Sequence, residues 1–392
     1  MTFIEPSDDM RIVYCLDEMS HPGGIGRVTS LKANWLAEHG YDVWVVTSNQ
    51  CGKADYYQLN DNVKRKDFSI GFQLGIDNSN LLMKALRKIR KIRQYRKELE
   101  VFVNQVKPDI VVSTFINDSD FLYKFRDGSK KVLEFHFSHG GFNSQMRYGP
   151  QTLKNKLLLI YRLKKHERIA KKYDAFVVLT HEDARAWIGY DNLHVIPNML
   201  SFETNRQSSC SEKRVIAVGR LDSQKRFDRL INIWYKVHKE CPDWKLDIFG
   251  SGPEKERLVK QIDYMKLNGI ITIKKTTHNI EDEYLNSSVF VMTSVYEGLP
   301  MTLLEAFSCG VPCVSYNFKC GPKDIIDSGK NGYCIEEEDQ SDYVDKLTKL
   351  IKDDRLRKGF GREAKVKSDL YTVDSIMPIW VSLFNNLCDK NR

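Results

Sequence analysis

Apolar positions along the chain come in short continuous runs that alternate with longer amphipathic stretches. The run RIVYCL at 11–16 reads as a strand. A loop at 18–24 then opens a helix that continues to Glu38, Gly40 ends it, and DVWVV at 42–46 is the next strand. Apolar runs predict further strands at 109–115, 131–136 and 175–179, and periodic stretches predict long helices at about 81–106 and 153–172. A polar, aperiodic segment at 201–213 (SFETNRQSSCSEK) reads as a linker. Beyond it the alternation restarts, with strands at 215–218, 246–249 and 289–292, a helix at about 227–239, and more strand–helix units to about residue 350. Continuous apolar strands separated by helices imply parallel sheets covered on both faces. The fold class is therefore α/β, with two doubly wound, Rossmann-like domains facing an inter-domain cleft. The first domain is expected over 1–200 and the second over 201–370, with a C-terminal helix at 371–392 packing back toward the first domain. Sheets of this kind bind ligands beyond the carboxyl ends of their strands.

Composition narrows the class. A chain of 392 residues suits two domains, and 42% hydrophobic with 29% charged residues is an ordinary soluble balance. No run approaches the roughly 18 apolar residues of a membrane span. Residues 1–10 are acidic and lack an apolar core, so no signal peptide is expected. The nine cysteines form no CxxC pair, which points to free thiols in a reducing, cytoplasmic compartment, and the Cys309, Cys313, Cys320 and Cys334 spacing fits no common zinc pattern. Charge is uneven: residues 1–200 hold 30 Lys/Arg against 23 Asp/Glu, a net +7 of the overall +8. A basic half suggests nucleic acid or an anionic membrane surface.

The chemistry is expected just after strands. Following the run at 289–292, the segment SVYEGLPMTLLEAFSCGVPCV places Glu297 and Glu305 on either side of a turn and the start of a short helix. Thr302 with Glu305 spells a capping box, which would make Thr302 the N-cap. A helix N-terminus suits a phosphate. The loop after 215–218, GRLDSQK, brings Arg220 and Lys225 to the same edge, and two cations beside a helix end can clamp a diphosphate. The read-as-structure alternative is a cap residue, a turn residue and solvated loop charges.

AVGRLDSQK, IFGSGP, VYEGLPMTLLEA, CGVPCV and GKNGYCI resemble the second domain of retaining glycosyltransferases of family 4, which have the GT-B fold. HPGGIGRVTSLKANWLAEHGYDVWVVT and VIPN extend the resemblance more weakly into the first domain. The resemblance implies transfer of a hexose or N-acetylhexosamine from a nucleotide diphosphate sugar, UDP-linked, to a hydroxyl of a glycan or lipid-linked glycan in surface polysaccharide synthesis. It implies that Glu297 meets the donor sugar, that Glu305 holds the ribose, and that Arg220 and Lys225 bind the departing diphosphate. It implies further donor contacts from Gly298, Leu299, Pro300, Met301, Thr302, Gly250 and Asn279, and a backbone approach at Gly23 and Gly24. His136 matches the family's active-site histidine, with His139 as its rival. The chain departs from the family at Arg226 and Met199, each where Gly is common, and at 276–279 (TTHN) near the nucleotide base. No cofactor and no metal are expected; Asp118 and Asp120 spell D-x-D, which belongs to a different fold. A UDP-sugar epimerase and a degenerate scaffold that binds only a membrane or partner are the alternatives; the glutamate pair argues against the first, and the intact Glu297, Glu305, Arg220 and Lys225 against the second.

The stretch LLMKALRKIRKIRQYRKELEVFVNQV carries an apolar stripe (Leu82, Leu86, Ile89, Ile92, Leu99, Phe102, Val106) among many cations. A second basic helix follows, with Lys154, Lys156, Arg162, Lys164, Lys165, Arg168, Lys171 and Lys172. No nucleic-acid motif accompanies them. Two readings stand: each stripe packs on the sheet and the charges are solvated, or Lys88, Arg90, Lys91 and Arg93 form a peripheral surface for the inner face of the cytoplasmic membrane.

Overall fold

The computed structural model describes residues 10–72, 81–142 and 152–389. It contains two all-parallel sheets. The first has the order β3-β2-β1-β4-β5-β6-β7, where β1 is Arg11–Leu16, β2 Asp42–Thr47, β3 Lys64–Asp67, β4 Ile110–Ser113, β5 Lys130–Phe135, β6 Ala175–Val178 and β7 Leu193–Val195. The second has the order β10-β9-β8-β11-β12-β13, where β8 is Arg214–Val218, β9 Lys245–Phe249, β10 Ile271–Lys274, β11 Val289–Met292, β12 Cys313–Tyr316 and β13 Gly332–Ile335. Each sheet winds outward from its centre in both directions, so each has one switch point: β1/β4 in the first and β8/β11 in the second.

The apolar runs behave as two-faced strands. In β1, Ile12, Tyr14 and Leu16 face one core while Val13 and Cys15 face the other, so a period of two is hidden inside a continuous apolar run. The helix Gly24–Glu38 covers one face with Val28, Ala33 and Leu36. Gly40, at φ +86°, ends that helix in a backbone conformation other residues resist. The helix Val373–Asp389 lies on the same face: Ile376, Met377, Trp380 and Phe384 are part of the first domain's core. β3, of sequence KRKD, has no apolar pattern and was not expected; it is an edge strand with little to bury.

The long helix Leu81–Val106 is not uniform. Tyr95, Leu99, Phe102 and Val103 are buried on the sheet. In its first turns Met83, Leu86 and Ile89 are 46–52% exposed, and the side chain of Leu82 lies outside the described residues. The helix Leu153–Ala170 repeats this: only Ile169 and Ala170 are buried, while Leu153, Leu157, Leu158, Ile160 and Tyr161 face outward. The reading in which both stripes simply pack on the sheet is therefore wrong for both N-terminal parts, because those turns run past the edge of the covered core. Lys91 also departs from the basic surface assigned to it: it is partly buried and its ammonium donates to the Gly71 carbonyl, whereas Lys88, Arg90 and Arg93 are exposed.

Candidate active site

The second sheet's switch point brings the two expected motifs together. β8 and β11 are neighbours, so the loops leaving their carboxyl ends meet although they are about 70 residues apart in sequence. The Gln224 carbonyl accepts the Val295 N–H at 3.0 Å, and the Thr293 hydroxyl donates to the Lys225 carbonyl at 3.1 Å. Arg226, where the family commonly has Gly, adopts φ +51°, the left-handed conformation in which Gly costs least. Its guanidinium pairs with Asp228 at 3.0 Å.

Lys225 Nζ lies 2.5 Å from Glu297 Oε1, and both side chains are largely buried. The Gln224 amide donates to the Tyr296 carbonyl at 2.8 Å and reaches Glu297 Oε2 at 3.3 Å, so the carboxylate is held on both oxygens. Arg220 is different: its side chain is 75% exposed and its partner is Asp222 at 2.7 Å. Lys225 is thus a buried cation held on Glu297, whereas Arg220 is an exposed one paired with Asp222.

Glu305 sits one short helix away, in Met301–Ser308. Ser201 Oγ donates to its Oε1 at 2.5 Å and Tyr284 Oη to its Oε2 at 3.1 Å. Burial pushes the Glu305 carboxyl up, opposed by those two hydroxyls and by the charges of Arg27 and Lys225. Arg27, from the first domain, donates to the Ser201 carbonyl at 2.9 Å, which ties the inter-domain connection to this carboxylate. A cavity of about 610 Å³ opens here between the domains. Gly23, Gly24, Met301, Asn279 and Glu305 line it, together with Arg27, Tyr56, Tyr57 and Ser201, which the sequence reading did not single out. A Cβ added at Gly23 or Gly24 would meet nothing within 4 Å, so protein packing does not require glycine at either position. Tyr56 from the first domain stacks on His278 from the second, with ring centroids 6.1 Å apart, at the rim. Arg27 lies within the quoted HPGGIGR stretch without being singled out there, and no periodicity or motif marks Tyr56 or Ser201.

His136 follows β5, and its peptide oxygen packs against Gly298: a Cβ at Gly298 would lie 2.2 Å from it. Gly298 is thus required by domain contact beside Glu297. His136 Nε2 is 2.9 Å from Glu134 Oε2. His139 faces the first domain instead, with its N–H on Asp183 at 2.7 Å and its ring edge-to-face with Trp187.

The surroundings of the other expected residues vary. Thr302 is not an N-cap: the helix begins at Met301, Pro300 occupies the cap position, and Thr302 Oγ1 is buried without a hydrogen-bond partner among the described residues. Pro300 has no side-chain acceptor, so the helix starts without a side-chain cap. Gly250 serves packing, since a Cβ there would lie 2.0 Å from the Gly219 carbonyl oxygen. Leu299 is buried in the second domain's core. The Asn279 amide donates to Asp282. Asp118 is fully buried while Asp120 pairs with Lys165 at 2.5 Å, so the D-x-D carboxylates diverge. Among the described residues no cluster of three His, Cys, Asp or Glu is arranged to hold a metal.

Two doubly wound domains, a glutamate pair around a helix start at a switch point and a cleft between the domains define the GT-B glycosyltransferase class. Residues 22–203 match the Glycosyltransferase Family 4 model, and residues 202–367 match Glycosyl transferases group 1. The chain belongs to the family 4-like glycosyltransferases. It is 29% identical to the amylovoran biosynthesis glycosyltransferase AmsD of Erwinia amylovora over 96% of this chain and 99% of that protein. It is 30% identical to the poly(ribitol-phosphate) alpha-N-acetylglucosaminyltransferase of Staphylococcus aureus over 55% of this chain and 45% of that one. The crystal structure of TarM superposes with a TM-score of 0.79 at 18% identity, covering 96% of this chain and 99% of that one.

Proposed function

We propose that this glycosyltransferase moves a hexose or N-acetylhexosamine from a UDP-sugar to a hydroxyl of a glycan or lipid-linked glycan, with retained anomeric configuration and without a metal, in surface polysaccharide synthesis. The observation that carries this reading is the Lys225–Glu297 pair beside the start of the helix that holds Glu305. In the reaction the bond from the anomeric carbon to the diphosphate breaks and its electron pair leaves with the phosphate oxygen. Lys225, the exposed Arg220 and the helix N-terminus stabilise that charge. Glu297, paired with Lys225, meets the sugar in this reading, and Glu305, in the cavity, accepts hydroxyls of the ribose. The acceptor oxygen bonds to the anomeric carbon and gives its proton to the departing phosphate oxygen. A closed cleft keeps water from taking the acceptor's place. The relatives' names, amylovoran biosynthesis and poly(ribitol-phosphate) glycosylation, support a surface polymer as product.

The acceptor side supports a place at the inner face of the cytoplasmic membrane. Exposed Met83, Leu86 and Ile89 alternate with exposed Lys88, Arg90 and Arg93, and the helix Leu153–Ala170 repeats the mixture. The test is incubation with a panel of nucleotide sugars and a lipid extract: UDP release that needs both components supports the reading. Release with no acceptor, or conversion of the donor to an epimer, overturns it. Activity is expected to persist in EDTA; loss with chelator and recovery with Mg²⁺ or Mn²⁺ would overturn metal independence.

A further inference from the structure

A buried charge chain runs behind His136. Lys32, on the helix Gly24–Glu38, forms an ion pair with Glu134 Oε1, and both side chains are 1–2% exposed. The other oxygen, Glu134 Oε2, is 2.9 Å from His136 Nε2. Lys32 Nζ also sits 4.3 Å from the centroid of the Trp380 ring and 5.2 Å from that of Tyr14. Burial opposes the ionisation of Glu134, but the Lys32 charge and the hydrogen bond from His136 outweigh it and hold the carboxyl at about 2. An ionised carboxylate is acceptor-only, so both of its neighbours must donate to it. A neutral His136 then carries its proton on Nε2, and Nδ1, buried and without a hydrogen-bond partner among the described residues, keeps the lone pair. A buried acceptor without a partner is costly, so it needs a donor from something that enters the site.

We propose that Glu134, kept in place by Lys32, is a positioning residue that sets the His136 tautomer so that Nδ1 accepts a hydroxyl of the sugar in the cleft. The proposal rests on the glycosyl-transfer reading above. It explains why a lysine and a glutamate are both buried far from solvent beside a strand end whose next residues touch Gly298. A buried pair of this kind is weak evidence for stability, and the proposal gives it the orientation of His136 as its use.

The test uses the geometry of a single amide. In Glu134→Gln the side chain has one acceptor oxygen, and the buried Lys32 ammonium, donor-only, claims it. The amide NH₂ then faces His136 and forces the proton onto Nδ1. In the double variant Lys32→Met with Glu134→Gln the amide is free to turn its oxygen to His136, and the original tautomer returns. The readout is ¹⁵N NMR of the full chain with labelled histidine, the His136 signal being identified by its loss in His136→Asn. The expected result is an Nε2–H tautomer in the wild type, an Nδ1–H tautomer in Glu134→Gln, and Nε2–H again in the double variant. Alongside, kcat should fall roughly 10- to 100-fold in Glu134→Gln with donor KM within a factor of about 3, and should partly recover in the double variant. A wild-type His136 protonated on Nδ1 or on both nitrogens overturns the proposal even if no variant folds. So does a double variant no better than Glu134→Gln. Failure of the wild type to transfer any sugar would count against the glycosyl-transfer reading alone, since the tautomer measurement needs no turnover.

Discussion

Glu297 and Glu305 are both glutamates in one short segment, but they sit in different surroundings. Glu297 is held by Lys225 and Gln224 at the switch point, whereas Glu305 is held by Ser201 and Tyr284 in the cavity. Glu297→Gln is therefore expected to lower kcat by ~100-fold or more. Glu305→Ala should act mainly through a higher donor KM. Steady-state kinetics with varied donor checks both, and equal kcat losses with unchanged donor KM would remove the distinction. Asp118 offers a stability test. Burial, with the charges of Asp120 and Asp17 nearby, raises its carboxyl to about 7. Below about pH 4 folded and unfolded chains both hold the proton, and the site carries no penalty. Between about pH 4 and 7 the folded chain keeps a proton the unfolded chain has lost, so stability falls as pH rises and stays lower above that window. Asp118→Asn should stabilise the chain at pH 8 by on the order of 4 kcal/mol, seen as a higher unfolding midpoint, and change little at pH 4. Thermal unfolding at the two pH values decides it; equal shifts at both would show that ionisation is not the cause.

At the scale of elements, the two basic helices each divide into a packed part and a projecting part. A projecting turn with outward Leu, Ile and Met among cations has no reason to be apolar in water alone. Each cation near an anionic lipid contributes roughly 1 kcal/mol, a contribution that salt screens. The chain is expected to sediment with anionic liposomes at low salt and not with neutral ones. Replacing Lys88, Arg90 and Arg93 by Ser should release it with an unchanged unfolding midpoint. Lys91 is left in place because it bonds to Gly71. Wild-type protein that stays in the supernatant with anionic liposomes would end the membrane reading.

The whole molecule is a pair of domains that share their boundaries. The C-terminal helix follows the second domain in sequence yet completes the first domain's core, where Trp380 is 2% exposed. Trp380→Ala removes a large buried ring and the Lys32 contact together, which typically costs about 3–5 kcal/mol. The expected outcome is a lower unfolding midpoint and earlier proteolytic cleavage within the first domain. Cleavage confined to the second domain would show that the helix does not support the first. Across the cleft, Arg27 to Ser201, Tyr56 to His278 and His136 to Gly298 are the contacts that close the two halves on one another.

The sequence alone determined what local pattern and motif can determine. Strands such as β1 and β11, buried on both faces, are legible as unbroken apolar runs, and the linker and the paired glutamates are legible from polarity and spacing. β3 was invisible because an edge strand of charged residues has no apolar pattern to read. The capping box at Thr302 misled because Pro300 starts the helix earlier, and a hydroxyl's partner depends on where the chain turns. The tertiary structure alone decided the rest. It placed Lys225 on Glu297, gave Ser201 and Tyr284 to Glu305, and turned Asp118 inward. Those pairings join residues tens of positions apart, and only strand order and domain closure set which side chains meet.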